Sequence, residues 1–135
     1  MNTAEIRYQG DLRTLSTHLQ SGNAIVTDAP VDNHGRGEAF SPTDLLASSF
    51  VSCMITIMGI QAMKRGIDLG QVTGTVRKVM AENPRRVARL EVKITFEGNT
   101  LDADTRRQIE QAGLNCPVAK SLHPDIVQDV TFDYV

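Results

Sequence analysis

Cys53 and Cys116 are the only cysteines in the chain, and thiols can attack an electrophile, join as a disulfide or bind a soft metal. Cys53 lies beside Phe50, Met54 and Ile57 in a long apolar segment. A cysteine so placed is either a small core hydrophobe or a nucleophile held as thiolate by a cation from elsewhere in the fold, because burial disfavours the charged form. An arginine suits that task best, since it stays charged when desolvated. Cys116 stands in Asn115-Cys116-Pro117-Val118. Pro117 fits the first position of a short helix, which makes Cys116 its N-cap, and helix N-termini favour thiolates. Local chemistry offers two candidate thiols and picks Cys116 as the easier to ionise; a capping or packing role stays open for it.

Other chemistries find less support. The cysteines are sixty-three residues apart and His18, His34 and His123 are scattered singly, which matches no paired zinc spacing. Gly35-Arg36-Gly37 is too short for a nucleotide loop, and no Gly-x-Ser-x-Gly hydrolase pattern occurs. No metal and no cofactor is therefore expected. A net charge of -2 gives no electrostatic argument for nucleic acid or an anionic membrane. Arg85, Arg86 and Arg89 read as the solvated face of a hairpin. The 135 residues are 41% hydrophobic and 22% charged, the profile of one soluble globular domain. The first five residues lack a basic and then apolar leader, so a cytoplasmic location is expected. In that reducing compartment a cysteine pair is more often catalytic, redox-sensing or metal-binding than a permanent crosslink.

The elements that must position these thiols follow from period and punctuation. Residues 4–9 alternate as a strand, 12–19 follow after the Gly10-Asp11 turn, and 24–27 complete a meander after Ser21-Gly22-Asn23. Residues 28–40 form a long loop. Ser41 then caps a helix with Pro42 at its first position and Asp44 at its third, an acidic capping box. That helix runs to Gly66 and contains nineteen consecutive uncharged residues, 45–63. Its serines, threonine and glutamine, and the lack of flanking aromatics, favour a buried central helix over a membrane span. Strands are expected over 72–80 and 88–96, a polar helix over 101–114, a short helix over 116–122 and a last strand over 130–134. The fold class is α+β.

Two stretches resemble the OsmC/Ohr proteins, a family named for osmotic induction and organic hydroperoxide resistance. Ser41-Pro42-Thr43-Asp44-Leu45-Leu46-Ala47 through Cys53 is similar to the family's helix start, with cysteine eleven residues after the proline. Cys116-Pro117-Val118-Ala119-Lys120-Ser121-Leu122 is similar to its second cysteine motif. The resemblance implies antiparallel sheets wrapped around a long central helix in an intertwined homodimer. It implies that Cys53 attacks the peroxide O–O bond, that Cys116 resolves the sulfenic acid as a disulfide, and that a dithiol reductant closes the cycle. Organic hydroperoxides would be the substrates. The family's thiolate-holding arginine corresponds best to Arg13, with Arg7 and Arg36 as alternatives.

One position departs from the pattern. The hydroperoxide-reducing branch carries a glutamate directly after the helix proline, where it orients the arginine; here that residue is Thr43. Asp44, one residue on, is rotated about 100° around the helix and serves the cap. Glu38 is another candidate partner. The departure keeps a second reading open: a non-catalytic dimer that binds a small apolar ligand.

Overall fold

The computed structural model describes all residues from Met1 to Val135. The chain forms two compact units, Met1–Leu46 and Ala47–Val135. The first unit is a meander of β1 (Ala4–Gly10), β2 (Arg13–His18) and β3 (Ala24–Asp28), antiparallel throughout and in the order β1-β2-β3. Asp11 and Leu12 both take left-handed backbone angles, φ 52° and 62°. This is the two-residue hairpin connection whose twist matches its strands. It removes Leu12 from the second strand, which begins one residue later than expected. Gly10, at φ 84°, takes up a register shift just before the turn.

The loop after β3 is pinned rather than loose. Asp28 N–H donates to Phe40 O at 3.1 Å, Ala29 N–H to Leu12 O at 3.0 Å, and Gly35 N–H to Pro30 O at 2.9 Å. A single 3-10 turn, Val31–Asn33, interrupts it. Helix α1 (Pro42–Arg65) then begins on the expected capping box. Ser41 N–H donates to Asp44 Oδ2 at 2.9 Å, and Asp44 N–H donates to Ser41 Oγ at 3.0 Å, so two orphan amides are satisfied reciprocally.

The second unit contains the rest of α1 with β4 (Gln71–Ala81), β5 (Arg86–Glu97), α2 (Ala103–Leu114), α3 (Pro117–Ser121) and β6 (Val127–Tyr134). Its sheet order is β4-β5-β6. β4 and β5 pair antiparallel, but β5 and β6 pair parallel, so this sheet is mixed where the resemblance implied antiparallel sheets. The reason is the connection: α2 and α3 together form the crossover that a parallel pair requires. Phe50, Met54 and Met58 of α1, Leu90, Ile94 and Phe96 of β5, and Ile109 of α2 are fully buried. Gly74 lets the helix come close to β4. A Cβ there would lie 2.5 Å from Val51 Cγ1 and 3.0 Å from Ile55 Cδ1.

Only one stripe of α1 is buried within the chain: Ala47, Phe50, Val51, Met54, Met58 and Ala62, at helical spacing. Ser49, Ser52, Thr56, Ile60 and Met63 are exposed. By length and composition alone the helix could cross a membrane, yet a third of its most apolar window is buried in the chain. A helix buried on most sides was expected; instead, an apolar face remains open beside its small polar residues.

Candidate active site

Cys53 lies about three turns into α1 and is half-buried. Cys116 lies between α2 and α3 with no exposed surface. Its position follows from how α2 ends. Asn115 N–H folds back on Gln111 O and Ala112 O at 3.2 and 3.3 Å, and Cys116 N–H donates to Gly113 O at 3.2 Å. Cys116 itself is extended (φ −65°, ψ 157°), with Pro117 opening α3 behind it. Gly113 brings this junction against α1, since a Cβ there would sit 2.9 Å from Met58 Cγ and 3.5 Å from Met54 O. Met54 is the chain neighbour of Cys53. The two thiols consequently lie close enough for Cys53 to influence Cys116, and both are free of disulfide.

The N-cap role of Cys116 is as expected: its Sγ accepts from Ala119 N–H at 3.4 Å. The expected ease of ionisation is reversed. Burial pushes the Cys116 thiol above its ordinary pKa, the Ala119 amide pulls the other way and is outweighed, and the Cys53 thiol adds to the rise. A five-residue helix supplies a short row of amides, which cannot offset complete removal from water.

This shift has a stability consequence. A pKa raised on folding favours the native state at and below the unfolded thiol value of about 8.5 and loses that contribution as pH climbs through the folded value. Reduced protein should therefore lose stability progressively above about pH 8.5, and Cys116→Ala should flatten that decline. Urea unfolding at a series of alkaline pH values reads both slopes; parallel slopes would contradict the assignment.

Arg13 opens β2 in the first unit, directly opposite Asp28 at the end of β3. Its Nε donates to Asp28 Oδ1 at 2.7 Å and its Nη2 to Asp28 Oδ2 at 2.8 Å, a two-pronged pair. Glu38 Oε2 stands 3.7 Å from Nη2. The guanidinium holds the Asp28 carboxyl below its ordinary range, helped by the Glu38 N–H, which donates to Oδ2 at 3.2 Å. The alternative arginines are engaged elsewhere: Arg7 with Glu5 at 3.1 Å and Arg36 with Asp11 at 2.9 Å. Thr43 Oγ1 lies 3.2 Å from Ser41 Oγ.

Cys53 and Cys116 thus come together in the second unit, while Arg13 belongs to the first with Asp28 and Glu38 as partners. Sequence reasoning missed Asp28 by ending the third strand at Thr27. Continuing the register of the Ser21-Gly22-Asn23 hairpin one residue past Thr27 would have set it opposite Arg13. No group of three or more His, Cys, Asp or Glu side chains is placed to hold a metal ion.

Comparison with known proteins gives these neighbours. A family model described as OsmC-like protein matches residues 35–131. A crystal structure from Psychrobacter arcticus 273-4, assigned to osmotic stress induction and detoxification response, is 56% identical with TM-score 0.93, covering 98% of this chain and 96% of that one. An organic hydroperoxide resistance protein OsmC from Legionella pneumophila is 16% identical with TM-score 0.73, covering 100% and 98%. An organic hydroperoxide resistance protein from Elizabethkingia anophelis is 14% identical with TM-score 0.74, also covering 100% and 98%. A search of curated protein sequences found no match.

Proposed function

Because the chain belongs to the OsmC-like protein family, we propose that it acts in the cytoplasm as a single-domain, thiol-dependent reductase of organic hydroperoxides. The observation that carries this reading is the proximity of the Cys53 and Cys116 thiols, one half-buried and one fully buried. The Cys53 thiolate attacks one peroxide oxygen, the O–O bond breaks, and the alcohol leaves with a proton. Cys53 is then a sulfenic acid. Cys116, which lies close by, displaces its oxygen as water and forms the disulfide. An external dithiol then attacks this disulfide, passes through a mixed disulfide and leaves as its own disulfide, which restores both cysteine thiols. Arg13 is the residue assigned to hold the Cys53 thiolate. The names of the Legionella and Elizabethkingia neighbours, which speak of hydroperoxide resistance, support the substrate class.

The same reading includes a homodimer. Ile6, Ser16 and Ile25 stand in register across the first sheet, so Ile6, Tyr8 and Ile25 share one face, and all three are exposed. Ile60 and Met63 are exposed on α1. A second copy is the partner that would cover these apolar groups.

The test is one equivalent of cumene hydroperoxide added to reduced protein, followed by mass spectrometry. The expected product is a single chain lighter by two hydrogens, with Cys53 and Cys116 in one disulfide-linked peptide pair. Thr43, where the hydroperoxide-reducing branch has glutamate, favours the second reading, a dimer that binds a small apolar ligand without turnover. Absence of the disulfide at complete peroxide exposure would select that reading.

A further inference from the structure

We infer that Asp28 is the positioning residue for Arg13, so that an aspartate on β3 does what no carboxylate at Thr43 can do. This rests on the reading that Arg13 holds the Cys53 thiolate, and it names what fixes the arginine for that work. Three carboxylates are candidates. Asp44 uses its carboxylate to cap α1, accepting from Ser41 N–H at 2.9 Å. Glu38 approaches only to 3.7 Å and its side chain is mostly exposed; a loose exposed pair fixes little. Asp28 is 1% exposed and meets both Nε and Nη2 at 2.7 and 2.8 Å.

A bidentate pair sets the rotation of the guanidinium plane as well as its place. It uses Nε and Nη2 and leaves the Nη1 end of the fork outside those contacts. The backbone around the pair is equally fixed. Arg13 and Asp28 are register partners, and the residues flanking them are tied by the bond from Ala29 N–H to Leu12 O at 3.0 Å. Asp28 Oδ2 also accepts from Glu38 N–H at 3.2 Å. One carboxylate therefore ties the loop after β3 to the arginine, and its own N–H holds Phe40 O at the loop's far end.

The test is a double-mutant cycle on the full chain, reading the second-order rate at which cumene hydroperoxide oxidises Cys53. Arg13→Ala and Asp28→Asn are each expected to slow it by about 10- to 100-fold, the usual cost of a misplaced charge at a reacting centre. Asp28→Asn keeps the shape and can still accept from Glu38 N–H. In the Arg13→Ala background the same change should alter the rate by less than about threefold, because Asp28 acts through the arginine. Asp28→Glu keeps the charge and should give an intermediate rate; it runs the same cycle if the asparagine variant does not fold. A normal rate for Arg13→Ala would overturn the role of the arginine and this inference with it. A slow Arg13→Ala beside a normal Asp28→Asn would overturn the inference alone. So would an equal slowing by Asp28→Asn in both backgrounds, which would mark a purely structural carboxylate.

Discussion

Cys53→Ser is expected to lower peroxide reduction by at least about 1000-fold, because the serine hydroxyl has no thiolate to offer and no base beside it to make an alkoxide. The neighbouring side chains argue that the loss will be chemical. Cys53 is half-buried in α1, the buried stripe of that helix is carried by Ala47, Phe50, Val51, Met54, Met58 and Ala62, and a sulfur-to-oxygen change leaves that stripe whole. Melting temperature measured beside activity separates the two causes. Cys116→Ser should behave differently: Cys53 still reacts once, stops at the sulfenic acid, and advances to the sulfinic acid under excess peroxide, since no resolving thiol remains. Peroxide consumption by Cys53→Ser at the parent rate would remove the assignment altogether.

The contrast between the two thiols also shows how far local sequence could reach. The capping box at Ser41 and Asp44 was legible because both partners lie within four residues and the bonds are dictated by helix geometry. The N-cap role of Cys116 was legible for the same reason, from Pro117 alone. The raised pKa of the Cys116 thiol was not, because it depends on how completely the second unit excludes water there, a property of packing between segments distant in the chain. Asp28 escaped for a related reason. Its importance comes from a partner across a hairpin, and one residue's error in a strand end hides it. The parallel pairing of β6 likewise depends on a crossover whose path no strand period reveals. Period and punctuation thus located the elements; register and desolvation decided which side chains matter.

The buried thiol depends in turn on the core of its unit, and Phe96→Ala is the substitution expected to weaken that core most. Phe96 is 1% exposed in the middle strand. Its ring stacks on Tyr134 with centroids 4.8 Å apart and faces Phe132 at 6.4 Å, so it joins β6 to β5 through side chains as well as through the parallel ladder. Tyr134 carries the contact onward to α2: its hydroxyl donates to Glu110 Oε2 at 2.8 Å, and the Arg106 guanidinium lies 4.0 Å from its ring centroid. Removing a buried phenyl ring costs about 3–5 kcal/mol in lost transfer and cavity terms, and the stacked pairs bring it toward the upper end. Urea unfolding should register that loss, with a fall in melting temperature on the order of 10–20 °C for a chain of this size. Because α2 ends at the Cys116 junction, looser packing of α2 should also speed alkylation of Cys116 under native conditions, through more frequent opening. A cost below about 1 kcal/mol would show that the site collapses onto the space, and unchanged Cys116 labelling would show that the aromatic stack does not govern access to that thiol.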